Sequence, residues 1–253
     1  MYAVERHQTI VERCRRDGRV EVGSLADELQ VTPETIRRDL SELEKHRLLR
    51  RVHGGAVPVE RLLFEPGVSE RATSMAAEKA RIATAALSDV PDEGVILLDA
   101  GTTTGALAET LPVDRELTVV TNDLPIAMGL AAKPNITVWT LGGRVRSRTL
   151  SQVETWALRA LDEVVVDIAF MATNGITVED GLTTPDQAES AVKRAMTRAA
   201  RRCVLLADHT KVGRSFFARF GRVDEIDKLI TDSGLDEVAA RRLRDAGLEV
   251  VAA

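Results

Sequence analysis

The sequence predicts an α/β protein: an N-terminal winged helix-turn-helix followed by a larger C-terminal domain on a mostly parallel sheet. Three observations predict it. The first 57 residues alternate short helical patterns with a glycine hairpin, seven continuous apolar runs recur from Gly94 onward, and helical stretches separate most of those runs. With 253 residues and 44% hydrophobic content, the chain is long enough for two modest domains or one large one, each with a full core.

The first helix is expected over Ala3–Arg16, where Ile10, Val11 and Cys14 follow helical spacing and Gly18 ends the pattern. A short extended piece, Arg19 to Val22, precedes a brief helix, LADELQ, with Ser24 as its expected cap. The third helix carries the strongest start signal: Thr32 at the N-cap, Pro33 at the first helical position, and Val31 placed to staple onto Ile36. Its apolar face is Ile36, Leu40 and Leu43, so Glu34, Thr35, Arg38 and Ser41 are expected to point away from the core, with Arg37 on the flank. LLRRV and AVPV then flank His53-Gly54-Gly55, the pattern of a tight hairpin.

Two prolines and a glycine between Pro58 and Ser69 mark a linker, giving domains at 1–57 and 71–253 with a connection over 58–70. One helix is expected through ATSMAAEKARIATAALSDV. The apolar runs that follow are 94–99, 117–121, 136–143, 164–171, 203–208, 228–231 and 248–252. Their continuous hydrophobicity predicts strands buried on both faces, and the interleaved helices predict right-handed βαβ crossovers.

Charge is distributed unevenly. Residues 1–57 hold eleven Lys/Arg and ten Asp/Glu, a net +1, against −6 for the remainder. Between Thr32 and Ala56 alone there are six Lys/Arg and two His. Cys14 and Cys203 are far apart and lack companions, so neither a disulfide framework nor a zinc site is expected. The charged N-terminus has no apolar leader segment and no run of eighteen apolar residues occurs, from which a cytoplasmic protein with no membrane association is expected.

A polar tip follows each of five apolar runs: Asp99-Ala-Gly-Thr-Thr-Thr104, Thr121-Asn-Asp123, Thr140-Leu-Gly-Gly143, Ala172-Thr-Asn-Gly175 and Ala207-Asp-His-Thr-Lys211. In open α/β sheets ligands bind beyond the carboxyl ends of the strands, so these tips are expected to line one crevice. Each tip alone also reads as an ordinary turn or cap. In the first, Gly101 permits close backbone approach, while Thr102, Thr103 and Thr104 offer N–H groups and hydroxyls at a helix N-terminus, an arrangement that suits a phosphate. It lacks the Gly-Lys-Ser/Thr ending of a nucleotide-binding P-loop. Lys211 can add a point charge, and Asp99, Asn122, Asp208 and Glu189 can bond hydroxyls. The alternating Arg144, Arg146 and Arg148 read more simply as a solvated strand or loop than as a phosphate clamp.

Taken together, RRDGRVEVGSLADELQVTPETIRRDLSELEKHRLLRRVHGGAV resembles the N-terminal segment of the DeoR family of bacterial transcriptional regulators. LLDAGTTT, VVTND, LGG and LLADHTKVGR resemble landmarks of its sugar-phosphate sensor domain. The sequence departs at Thr32, where the family usually has Ser, and at Lys45-His46, where it often has glycine. The resemblance implies a homo-oligomeric repressor of a carbohydrate-use operon. It places Glu34, Thr35, Arg38 and Ser41 toward the major groove of operator DNA, Arg37, Arg50, Arg51 and His53 on phosphates or, for the wing, in the minor groove, and counts Thr32 among the DNA-binding residues. It also implies no cofactor, only an effector, a phosphosugar held by Asp99, Gly101, Thr102, Thr103, Thr104, Asn122, Gly142, Gly143, Gly175, Glu189, Asp208 and Lys211. RLLFEPGVSERATSMAAEKARIA is similar to actinobacterial members associated with fructose uptake, which implies fructose 1-phosphate.

The second domain also resembles ribose-5-phosphate isomerase, and that likeness sets the rival reading, an isomerase with an accessory DNA-binding domain. The isomerase pattern ends a strand in Asp-Gly-Ala-Asp-Glu. Here Met171, Ala172, Thr173, Asn174 and Gly175 take those positions, so the carboxylates that would shuttle the proton are missing and no catalytic residue is expected. A third reading is an activator or architectural DNA-binding protein whose second domain is vestigial.

Overall fold

The computed structural model describes residues 3–45, 48–58 and 65–253, with the backbone alone at residues 4, 15, 16 and 58. The chain divides into two units, Met1–Arg61 and Leu62–Ala253. Residues 59–64 of the expected linker lie outside the described residues, as do His46 and Arg47.

The N-terminal unit contains α1 (Ala3–Asp17), β1 (Val20–Glu21), α2 (Val22–Leu29), α3 (Pro33–Lys45), β2 (Leu49–Val52) and β3 (Gly55–Pro58), the strands forming a sheet in the order β1-β3-β2. Ile10, Cys14, Leu25, Ile36, Leu40, Leu43, Leu49 and Ala56 form its buried core, and Val31 packs against it. The α3 start forms as expected, with the Thr35 N–H donating to Thr32 Oγ1 at 3.2 Å. Ser24 does not cap α2. That helix begins two residues earlier, at Val22, because the buried Val22 side chain joins the core while its N–H donates to the Gly54 carbonyl at 2.9 Å. Gly55 has a simple cause: a Cβ there would lie 1.9 Å from the Val20 carbonyl oxygen, so only glycine lets β1 and β3 pair.

Helix α3 is fixed to α1 by Asp39, which accepts from Arg6 Nε at 2.5 Å and Nη2 at 3.0 Å and lies 2.9 Å from His7 Nε2. Burial works to raise the Asp39 carboxyl, but these partners outweigh it and hold its pKa below the ordinary carboxylate value.

In the second unit the elements are α4 (Val68–Thr73), α5 (Ala76–Ala86), β4 (Glu93–Leu98), α6 (Thr102–Thr110), β5 (Glu116–Thr121), α7 (Leu124–Leu130), β6 (Ile136–Thr140), β7 (Arg144–Val145), β8 (Gln152–Val153), α8 (Thr155–Asp162) and β9 (Ile168–Met171). After them come β10 (Gly175–Thr177), β11 (Gly181–Thr184), α9 (Gln187–Ala199), β12 (Cys203–Leu206), β13 (Ala218–Gly221), β14 (Lys228–Thr231), α10 (Glu237–Asp245) and β15 (Glu249–Ala252). All seven expected runs contribute strands to one parallel sheet, ordered β15-β14-β12-β9-β4-β5-β6. Side chains alternate between two apolar layers: Ile96, Leu98, Val119 and Phe170 meet Ile82, Leu107 and Ile126 on one face, while Leu97, Val120, Ala169 and Met171 meet Leu161, Val192 and Met196 on the other.

Three local features differ from the sequence expectation. The helix expected through 72–90 is broken: α4 starts inside the expected linker, Met75 takes a left-handed conformation (φ 55°), and α5 begins at Ala76. Lys79 stabilises the break, its ammonium donating to the Arg71 and Ser74 carbonyls at 2.5 and 2.6 Å. The run 164–171 gives a strand only from Ile168. A second, antiparallel sheet, β10-β11-β13, accompanies the parallel one.

Candidate functional site

On the N-terminal unit the predicted DNA-facing residues separate into two groups. The side chains of Arg38, Arg50 and His53 are exposed and make no hydrogen bond or ion pair among the described residues. The others are engaged locally. Thr32 Oγ1 caps α3 and lies 2.9 Å from Thr35 Oγ1, Arg37 pairs with Glu34 at 3.1 Å, and Ser41 donates to the Arg37 carbonyl. Arg51 ties the hairpin to α3, its Nη1 donating to Ser41 Oγ at 2.8 Å and its N–H to Glu44 Oε1 at 2.7 Å. Ser41 therefore positions the wing, a role the sequence reading did not give it.

The sheet order explains why five tips gather in the second unit. Strands β12-β9-β4-β5-β6 are contiguous and parallel, so the segments after Leu206, Met171, Leu98, Thr121 and Thr140 lie side by side along one edge. From β4 the chain proceeds through β5 and β6, then returns to the other flank of β4 as β9, so the strand order reverses between β4 and β9. Such a switch point opens a crevice, and Gly101 with the N-terminus of α6 stands beside it. A Cβ at Gly101 would come within 2.9 Å of Ala172 Cβ. Thr103 and Thr104 are buried, and Thr104 Oγ1 donates to the Gly101 carbonyl at 2.9 Å. Thr102, half-buried, is the hydroxyl of the three left open to a ligand.

Cross-links hold the neighbouring tips. The Ala100 N–H donates to Asn122 Oδ1 at 2.9 Å, Asn122 Nδ2 donates to the Gln152 carbonyl at 3.4 Å, and the Gly142 N–H donates to Gln152 Oε1 at 3.2 Å. Asp123 caps α7 by accepting the Ile126 N–H at 2.9 Å; burial pushes its carboxyl up to about 6. Gly142 has open space around its Cβ position, whereas Cβ atoms at Gly143 and Gly175 would lie 2.4 Å from the Val153 carbonyl oxygen and 2.3 Å from that of Arg214. Those two glycines permit close backbone packing that shapes the crevice wall.

The charged residues reassign several sequence expectations. Asp99 is fully buried, its Oδ2 taking the Lys193 ammonium and the Ala172 N–H, with Oδ1 left without a partner. Burial raises its pKa and Lys193 opposes the shift. Glu189 is not a solvated residue and does not face the crevice as a free acceptor: its Oε1 receives Thr149 Oγ1 at 2.7 Å, Ser151 Oγ at 2.8 Å and Arg146 Nη1 at 2.5 Å, and its Oε2 receives Thr184 Oγ1. Arg146 is correspondingly half-buried and paired, not solvated; Arg144 pairs with Glu154 on the surface. Asp208 caps the turn at His209–Lys211 through the Thr210 N–H at 3.1 Å and sits 3.9 Å from Lys211 Nζ.

Two cations reach this edge that sequence reasoning missed. Burial, together with the like charges of Lys211 and Arg71, lowers Lys79 to about 8 against the opposing pull of Asp208. Burial likewise lowers Lys211, with Arg71 and Arg214 as like-charged neighbours and Asp208 in opposition. Arg71 also acts on Asp123, and its Nε is buried without a hydrogen-bond partner. Arg71, Lys79 and Lys211 thus repel one another, with Asp208 acting on both lysines and Glu78 on Lys79 in opposition. An anion bound there would relieve that repulsion and restore the full protonation of Lys79. On the sequence Arg71 and Lys79 read as ordinary polar helix positions; their approach to the β12 tip depends on the break at Met75.

Among the described residues no group of three or more His, Cys, Asp or Glu could hold a metal ion, and no helix is long and apolar enough to cross a membrane.

Comparison with known families matches residues 6–61 to the DeoR-like helix-turn-helix domain and 74–233 to the DeoR C terminal sensor domain. The chain is 38% identical to the HTH-type transcriptional regulator GlpR of Haloferax volcanii, covering 99% of this chain and 98% of that one. It is 37% identical to the uncharacterized HTH-type transcriptional regulator YulB of Bacillus subtilis over 100% of this chain and 97% of the relative. Against the glycerol-3-phosphate regulon repressor of Escherichia coli the identity is 32%, over 92% of each chain. Among solved structures it is similar to ribose 5-phosphate isomerase A of Methanocaldococcus jannaschii, with 22% identity, a TM-score of 0.40 and 55% of each chain covered.

Proposed function

Because the chain belongs to the DeoR family of DNA-binding transcriptional regulators, we propose that it represses a carbohydrate-use operon and leaves its operator when a phosphorylated sugar occupies the crevice of the second unit. One observation carries this reading: Gly101 and Thr102 at the N-terminus of α6 share a sheet edge with a crowded cationic group, Arg71, Lys79 and Lys211. The positive end of the α6 dipole and the mutual repulsion of Lys79, Lys211 and Arg71 both favour a dianion. Binding without turnover accords with the residues at the isomerase-like strand end, where Met171, Ala172 and Asn174 offer no general base.

The sugar is fructose 1-phosphate in this reading. The relatives include the uncharacterized HTH-type transcriptional regulator FruR of Bacillus subtilis, 34% identical, beside the glycerol-3-phosphate repressor, which makes glycerol 3-phosphate the second candidate. Arg38 supplies base readout, with Arg50 and His53 in the wing contacting the backbone or minor groove. A single winged helix reads a short half-site, so repression uses two or more copies acting through effective concentration. The test is operator retention by the full chain, on a fragment it selects from a random DNA pool, during titration with each phosphosugar. Selective release by fructose 1-phosphate supports the proposal; retention with every phosphosugar sinks it.

A further inference from the structure

The end of the connecting segment is anchored in a way that neither DNA binding nor effector binding requires. Glu65, five residues before the end of the expected linker, is 3% exposed. Its Oε2 accepts from Arg146 Nη2 at 2.9 Å, its carbonyl accepts from Arg148 Nη1, and the Val68 N–H donates to the Arg148 carbonyl at 3.1 Å. Both arginines belong to one hairpin, Arg144–Val153, built on β7 and β8.

The other end of that hairpin stands on the crevice. Gln152 exchanges hydrogen bonds with Asn122, its N–H donating to the Asn122 carbonyl at 2.7 Å and its carbonyl accepting from Asn122 Nδ2, while its Oε1 accepts the Gly142 N–H. Asn122 in turn holds the Ala100 N–H at the start of the Gly101 loop. A continuous set of polar contacts therefore joins the loop to Glu65: Ala100, Asn122, Gln152, the hairpin, then Arg146 and Arg148.

The anchor is also electrostatically unbalanced. Arg146 meets three carboxylates, Glu189 at 2.5 Å, Glu65 at 2.9 Å and Asp186 at 3.3 Å. Glu65 Oε1 is buried with no partner, whereas both oxygens of Glu189 are bonded. Of the three, Glu65 alone lies on the connecting segment, and it holds the least complete set of bonds of the buried pair. Small movements of the hairpin would release it while leaving Arg146 paired with Glu189.

We propose that the hairpin Arg144–Val153 is a latch between the crevice and the connecting segment: it holds Glu65 in the operator-binding state and lets it go when the crevice is occupied. This inference rests on the repressor reading above. Glu65 and Arg148 are positioning residues, contacting neither DNA nor sugar.

The test uses the full chain and Glu65→Gln, with Arg148→Ala as a second variant that removes only a contact to the segment's backbone. Three quantities are measured: hydrogen exchange at the Val68 amide, affinity without ligand for the selected operator fragment, and the melting shift given by fructose 1-phosphate and by glycerol 3-phosphate. The latch predicts faster exchange at Val68 in both variants, operator affinity lowered on the order of tenfold without any ligand, and an unchanged phosphosugar melting shift. Faster exchange with wild-type operator affinity overturns the latch, as does unchanged exchange in both variants. Absence of a melting shift in the wild type would instead remove the effector reading, and the two failures stay distinct because the operator arm needs no ligand.

Discussion

The two units handle charge in opposite ways. On the N-terminal unit most charged side chains lie in water: Glu34 and Arg37 pair on the surface of α3, Lys45 pairs with Glu42, and Arg38 and Arg50 stand free among the described residues. In the second unit the decisive charges are buried or half-buried and held singly or in tight groups, as with Asp99 on Lys193, Glu189 on Arg146, and Lys79 and Lys211 near Asp208 with Arg71 beside them. A surface built to meet a large polyanion keeps its cations hydrated until they exchange with counterions. In the proposed reading, a pocket for one small dianion places its cations in advance and stabilises their burial with the fold.

That contrast can be broken most severely at Lys193. Replacing it with Met leaves Asp99 buried beside an empty site, and urea denaturation should show a loss of about 3–5 kcal/mol, since removing one partner strands the other charge. A loss near zero would mean that Asp99 is protonated or rehydrated in the fold, and the buried-pair side of the comparison would fail. Next in size is Arg38→Ala, expected to weaken specific operator binding by about 1–3 kcal/mol with circular dichroism and phosphosugar binding unchanged. Equal losses on specific and random DNA would reassign Arg38 to the phosphate backbone.

Asp123 sharpens the comparison through pH. Its folded pKa, about 6, lies above its ordinary 3.8, so the folded state holds the proton more tightly. The resulting stability is fully present below about 4 and is lost as pH rises to about 6, where it levels. Asp123→Asn should keep the cap on α7 and remove that slope, so stability curves of variant and parent should diverge only across this window. Parallel curves from pH 3 to 7 would contradict the burial argument. The smallest effect belongs to the N-terminal surface: Glu34→Ala should change stability by no more than about 0.5 kcal/mol.

The same contrast governs what the sequence revealed. Strand positions, the five polar tips and the Thr32-Pro33 start were legible, because burial on both faces of a parallel sheet and helix capping each leave a local pattern. The exposure of Arg38, Arg50 and His53 was legible for the same reason: a residue on the outer face of a helix or turn is placed by its own element. Glu189, Arg146 and Lys79 were misread or missed. Their environments come mostly from segments 38 or more residues distant, or from a helix break that Met75 does not announce, and a charged residue in a helix looks identical whether water or Arg146 faces it. Ser24 failed similarly, because the wing carbonyl of Gly54 fixed the start of α2 before a side-chain cap was needed.

The central claim is that Gly101, Thr102 and the cations beside them bind the phosphate of a sugar, and it is tested most directly by thermal melting of the wild-type chain and Thr102→Glu with fructose 1-phosphate, glycerol 3-phosphate and the unphosphorylated compounds. At a hundredfold excess over Kd, the phosphosugar that fits should raise the wild-type melting temperature by about 5–10 °C, with no response to the free sugar and none in Thr102→Glu. An equal rise in the variant, or no rise with any phosphosugar, would contradict the assignment of the phosphate to this loop.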